Sequence, residues 1–214
     1  MADLTIAEQL VLLAYGPDGR QRVRRREIDL AVAGALLAQL VADGGADVVD
    51  GRLTVAGRST PSGAELDSVS RAIAEKDGAH APRWWVRHLA SSETRQRLLD
   101  RLVAAGVLEK VTKRLLGLFP VDRYPARGAT ARDATIGRLR AVAAGSGADP
   151  RDKALATLAH AARLDRDLVD KPGRKRLADL VADDWDPPAL FAVASAAADA
   201  VVANRRAAQS ASSG

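Results

Sequence analysis

A mostly α-helical single domain carrying two small β-hairpins is the fold class this sequence predicts. Three observations carry the prediction. Apolar residues recur at intervals of three and four, as in Ile6, Leu10 and Leu13 or Leu66, Val69 and Ile73, which is the period of one helix face. Aromatic residues make up only 3% of a chain that is 47% hydrophobic, so Leu, Val and Ala fill the core and helices can approach closely. Two short stretches, one alternating around Asp50-Gly51 and one an apolar and basic ribbon after Gly106, read as hairpins.

Taken in order, Leu4 to Tyr15 is helical and Gly16-Pro17-Asp18-Gly19 is a turn. An arginine run follows, with Arg20, Arg22, Arg24, Arg25 and Arg26 inside seven positions. Glu27 to Asp43 is a second helix, apolar from Ile28 to Val41 and therefore central, and Gly44-Gly45 stops it. Ala46 to Val49 and Arg52 to Val55 form the first hairpin, and 57–63 is a polar loop. Ala64 to Lys76 is a helix, and Trp84 to Leu89 makes a short one after Pro82. Ser91 or Ser92 caps the next, which carries Arg95, Arg97 and Arg101 and runs to Ala105. The ribbon 107–119 is the second hairpin, with Pro120 and Pro125 ending regular structure. Thr130 to Ala144 is helical and Gly145-Ser146-Gly147 is a loop. Pro150 to Ala162, Pro172 to Ala182 and Pro187 to Ala203 each have Pro near the first turn. The domain spans 1–206, and 207–214 is expected to be a disordered tail.

The composition excludes several classes of function. The 214 residues contain no cysteine, so disulfides, thiolate metal sites and cysteine nucleophiles are out. The N-terminal segment lacks a basic-then-apolar signal, and the apolar stretch 189–202 is too short and too weak to span a bilayer. The expected location is cytoplasmic with peripheral membrane association. A net charge of +5 and a pI near 10 favour anionic partners. Arg far outnumbers Lys and Ala is abundant, a bias that fits a G- and C-rich genome and suggests a bacterial source.

No catalytic or metal signature stands out. His80, His88 and His160 lack ligand spacing, and His160 reads as a hydrogen-bonded core or boundary residue. Asp165, Asp167 and Asp170 lack the glycine turn and terminal Glu of a calcium loop and read as a solvated edge. No phosphate loop or nucleophile elbow is present. One indole of Trp84-Trp85 is expected in the core and the other at a boundary. No cofactor and no enzymatic activity are expected. Anion binding is the function the charge pattern points to, through the arginine run, through Arg95 and Arg97, and through a ribbon in which Lys110, Lys113 and Arg114 flank Val111, Leu115, Leu116, Leu118 and Phe119.

Four segments, in order, then resemble one known family. They are LTIAEQLVLLAYGPDGR at 4–20, the helix with Gly34 and its Gly44-Gly45 hairpin, RQRLLDRLVAAGVLEK running on into LLGLFPVDRYP, and DPRDKALATLAHAARLDRDLV. Over roughly 4–201 they resemble the Golgi phosphoprotein 3 family, whose yeast member is a vacuolar protein sorting factor. The resemblance implies a compact helical adaptor with a flat basic face, not an enzyme. Its eukaryotic members bind phosphatidylinositol 4-phosphate and retain glycosyltransferases in the Golgi. It implies a headgroup pocket of one Trp and three Arg, and a hairpin that contacts membrane and self-associates. Here those pocket positions hold Arg24, Ala33, Ser92 and Arg95, so only Arg95 is kept.

The headgroup residues expected are therefore Arg95, Arg24, Arg25, Arg87 and Arg97. The membrane-contact hairpin is expected at Lys110, Val111, Lys113, Arg114, Leu115 and Leu116. Expected partners are anionic phospholipid headgroups, a protein client, and a second copy through the 107–119 hairpin. Nucleic acid, bound by a basic helix and hairpin, is the alternative of lower rank.

Overall fold

The structure is a computed structural model and describes residues 4–57, 62–115, 119–146 and 149–212. Within them lie helices α1 (Ile6–Ala14), α2 (Arg25–Ala42), α3 (Ala64–Glu75), α4 (Pro82–Leu89), α5 (Ser92–Ala104), α6 (Thr130–Ala144), α7 (Pro150–Ala161), α8 (Lys171–Ala182) and α9 (Pro188–Ser210). Two antiparallel hairpins complete the fold: β1 (Ala46–Val49) with β2 (Arg52–Val55), and β3 (Val111–Leu115) with β4 (Phe119–Arg123). The protein is mostly α with two small two-stranded sheets. Parts of the loops read at 57–63 and 145–147 lie outside the described residues.

Helix α2 is the axis of the core. Every residue from Glu27 to Leu40 is buried, and α1, α4, α7 and α9 pack around it. A helix buried all round needs apolar residues all round, and the run from Leu30 to Ala38 supplies them. At Gly34 the approach to α9 is so close that a Cβ would collide with that of Ala197. Full burial of a residue such as Leu37 stabilises by about 2 kcal/mol.

Local chemistry sets the helix starts. Thr5 accepts from the Glu8 amide at 3.2 Å while the Glu8 carboxylate accepts from the Thr5 amide at 2.9 Å, a reciprocal cap on α1. Ser91, Asp149 and Asp170 cap α5, α7 and α8. In the first hairpin Asp50 (φ 49°) and Gly51 (φ 71°) both adopt the left-handed conformation that a two-residue turn requires.

Three expectations are corrected. The second hairpin is centred further along than 107–119: β3 begins at Val111 and pairs with a β4 that contains Pro120 opposite Arg114. In a two-stranded ribbon half the amides point to solvent, so a proline's missing N–H is tolerated. Helix α9 continues to Ser210, so 207–210 are helical rather than a tail; Ala207 and Ala208 are strong helix formers and no Gly or Pro intervenes. Asp165 is buried, not a solvated edge, because its carboxylate meets His160 Nδ1 at 2.7 Å.

Candidate functional site

The arginine run, α5 and the second hairpin converge on one open cavity of about 1030 Å³. The segment 20–25 forms one wall, Ser92, Glu93, Arg95 and Gln96 of α5 another, and residues 120–124 the third. The joint between the walls is the turn 16–19. The Tyr124 amide donates to the Gly19 carbonyl at 3.0 Å. Gly19 has φ 72°, and a Cβ there would meet the backbone nitrogens of Tyr124 and Pro125 at 2.6 and 2.5 Å. Only glycine meets both demands.

Arg95 forms the floor and is buried. Its Nε donates to Asp29 Oδ1 at 2.9 Å and one terminal nitrogen donates to Gln21 Oε1 at 3.2 Å. Gln21 in turn donates to the Val23 carbonyl at 2.7 Å, which holds the arginine run over the floor. Tyr15 and Tyr124 stack edge to face at 5.4 Å beside it, and Gln96 donates to the Tyr124 hydroxyl at 3.0 Å. Burial pushes the Tyr15 hydroxyl up, with Arg95 opposing. Burial likewise holds Asp29 above the usual carboxylate range, against the pull of Arg95, Arg26 and Arg25.

The unneutralised charge lies above this floor. Arg24 and Arg25 are exposed, and among the described residues neither meets a carboxylate. They stand at the N-cap and first position of α2, where the helix dipole already presents positive potential. Cations there oppose the dipole at a cost of about 0.3–1 kcal/mol each, and an anion reverses the sign. Arg20 pairs with Asp18 at 3.2 Å and Arg22 with Asp167 at 2.9 Å. Arg26 donates to the Ala90 carbonyl at 3.0 Å.

The structure thus gathers Arg24, Arg25 and Arg95 and leaves Arg97 and Arg87 outside the cavity lining. Arg97 turns to Glu93 at 3.0 Å and Thr94 at 3.1 Å. Arg101 reaches Glu65 and, at 3.2 Å, Glu8. The arginines of α5 therefore face carboxylates of the protein's own, and the helix is a clamp between α1, α2 and α3. Arg87 lies on α4, whose Trp84 is stacked between His80 at 4.0 Å and His88 at 4.5 Å. Trp85 is core and Trp84 boundary, as the sequence suggests. Of the four positions implied by the resemblance, Arg24, Ser92 and Arg95 line the cavity, while Ala33 is buried in α2.

On the hairpin, Lys110 pairs with Asp122 at 2.9 Å, and Thr112 donates to the same carboxylate at 2.7 Å. Those partners hold Asp122 below its ordinary range, Thr112 first and then Lys110. Val111 is half-buried, whereas Lys113 and Arg114 are exposed and, among the described residues, meet no carboxylate. Val121, opposite Lys113, is also exposed. Leu116 and the side chain of Leu115 lie outside the described residues. Sequence reasoning missed Asp29, Gln21, Tyr15 and Tyr124. The one signal was Asp29 itself, an acid inside an otherwise apolar helix.

Among the described residues no cluster of His, Asp and Glu is arranged to hold a metal ion, and no helix is long and apolar enough to cross a membrane. Fold and cavity together define a helical domain that presents a cationic basin beneath a small β-hairpin. The model of the Golgi phosphoprotein 3 (GPP34) family matches residues 6–201, and the chain belongs to that family. The match names a family and not a source, so the bacterial reading of the composition gains nothing from it. Among curated proteins none matches the chain.

Proposed function

We propose that the chain is a non-enzymatic peripheral adaptor that docks on anionic lipid through this cavity, with a phosphatidylinositol 4-phosphate-like headgroup as the ligand class. The observation that carries the reading is the meeting of two exposed arginines that, among the described residues, have no carboxylate partner, Arg24 and Arg25, with Arg95 and the hairpin around one basin. Family membership supports an adaptor role. Lys113 and Arg114 extend the positive potential along the hairpin, and each cation near an anionic surface contributes about 1 kcal/mol. Four such charges favour reversible attachment rather than anchoring.

With Arg24 and Ser92 where the family holds an indole and a guanidinium, the basin lacks that indole, and its aromatic lining is the edge-to-face Tyr15–Tyr124 pair beside Arg95. Recognition by charge is therefore expected to outweigh recognition of ring stereochemistry, and binding to fall steeply with salt. A protein client and self-association through the 107–119 segment belong to the same proposal.

Vesicle co-sedimentation tests the reading. Wild-type protein should pellet with phosphatidylcholine vesicles containing phosphatidylserine or phosphatidylinositol 4-phosphate at low salt. Arg24→Ala with Arg25→Ala should release it about tenfold or more. Failure of the wild type to pellet with either acidic vesicle sinks the proposal, and tighter binding to duplex DNA in a gel shift would turn it toward nucleic acid.

A further inference from the structure

A second concave cluster of cations lies elsewhere, sharing no lining residue with the first basin. It is a cavity of about 470 Å³ between the end of α7, the turn that follows, the start of α8 and the last turns of α9. Arg163, Arg166, Arg174 and Arg206 line it, together with His160. The first turn of α2 separates the two sites: Arg24 and Arg25 face the first, while Glu27 meets Arg205 at 2.8 Å beside the second.

The carboxylates near this cavity are already engaged. Glu27 is held by Arg205, which also donates to the Ala161 carbonyl. Asp165 is held by His160. Arg174 donates to the carbonyls of Arg166 and Val169 and meets no acid among the described residues. Arg163, Arg166 and Arg206 are exposed and, among the described residues, make no ion pair. Elsewhere Arg95, Arg97, Arg101 and Arg151 each sit on a carboxylate, whereas Arg163, Arg166, Arg174 and Arg206, like Arg24 and Arg25 of the first basin, meet none among the described residues.

Backbone geometry adds an independent observation. Arg163 follows α7 with φ 60°, and the Leu164 amide returns to the Ala159 carbonyl at 2.8 Å. This is the left-handed helix-ending position that glycine occupies at least cost. The chain holds a long cationic side chain there instead, which is the kind of local strain that collects at functional sites. Burial, then Arg205 and Arg166, pull the Arg163 guanidinium below its ordinary value; repulsion among like charges is relieved by a bound anion.

We infer that this cavity is a second, independent anion site for a phosphoryl group of multiple charge. Guanidinium forks match phosphate oxygens two at a time, and cations from two sides suit a polyvalent oxyanion better than chloride. The phosphoryl group can belong to a soluble ligand or to a lipid headgroup, and the same variants separate the sources.

The experiment uses full-length protein, with pyrophosphate as the soluble probe and phosphatidic acid vesicles as the lipid probe. Arg163→Gly is the informative variant, because relief of the left-handed strain should raise Tm by about 2 °C while pyrophosphate or vesicle affinity falls about tenfold. Arg206→Ala should weaken the same ligand without changing Tm, and both variants are made in the Arg24→Ala with Arg25→Ala background, where the charge of the first basin is removed and the pyrophosphate binding that remains reports on this cavity. Loss of pyrophosphate binding in the Arg163 and Arg206 variants supports the site with a soluble source. Loss of vesicle binding alone supports it with a lipid source. Unchanged affinity for both probes in both variants overturns it, whatever the first basin does.

Discussion

Replacing Arg95 by Met tests whether this residue serves the fold before it serves a ligand. The Arg95 and Asp29 side chains are 9% and 8% exposed and meet at 2.9 Å. At an effective dielectric of about 20, unit charges about 4 Å apart attract by about 4 kcal/mol, and removing one partner of a buried pair costs about 3–5 kcal/mol. Asp29 has an escape, which is to take a proton. Its carboxyl is already raised by burial, and Arg95 is the largest influence holding it down. A carboxyl raised in the folded state stabilises the fold while protonated and withdraws that stability as pH rises through its folded value. In Arg95→Met this loss deepens. Holding Asp29 protonated at pH 7 costs about 1.4 kcal/mol for each unit above a reference near 3.9, or about 4 kcal/mol. At pH 5 the same cost is about 1.5 kcal/mol.

Urea unfolding followed by circular dichroism at the two pH values should therefore show a loss of about 3–4 kcal/mol at pH 7 and about 2 kcal/mol less at pH 5. Adding Asp29→Leu should return most of the stability, since an apolar pair of similar volume replaces a buried ion pair at little cost. A loss that is equal at both pH values, or additive in the double variant, would refute the assignment of Arg95 as the counter-ion of Asp29.

Gly34→Ala forces a Cβ against Ala197 and should cost about 1–3 kcal/mol in the same unfolding assay, with Ala197→Gly restoring part of it. Lowering pH below the usual carboxylate range should loosen the second hairpin. Asp122 is held down by Thr112 and Lys110, so what it adds is present above its unfolded value and lost as pH falls through the folded one; amide exchange at Thr112 reads this. Arg101→Met leaves buried Glu8 without its guanidinium and leaves buried Glu65 with only the longer Arg97 contact at 3.9 Å. It should destabilise by about 3 kcal/mol while vesicle binding at low temperature stays unchanged.

The helices among the described residues were legible because their apolar positions repeat every three or four residues, and because Ser91 and the prolines near the first turns of α7, α8 and α9 mark starts. The first hairpin was legible from Asp50-Gly51, whose chemistry dictates the turn. Illegible features depend on distance in sequence. Arg95 and Asp29 are 66 positions apart, and no local pattern announces that α5 spends its charges inward. Pro120 reads locally as a stop, yet it stands within β4 opposite Arg114. Of the arginines the charge pattern singled out, Arg24 and Arg25 line the cavity. Arg97, singled out by the same pattern, belongs to a surface ion pair.

The bond between Gly19 and Tyr124 has a mechanical consequence. The arginine segment begins one residue after Gly19 and the hairpin ends one residue before Tyr124. The two arms thus meet at a peptide contact with no room for a side chain between them, beside the Asp18–Arg123 ion pair at 3.7 Å. A force that tilts the hairpin is delivered to the arginine segment as torque, and an anion that pins the arginines stiffens the hairpin in return. A bulkier residue at Gly19 would spread the hinge and leave each arm to move alone.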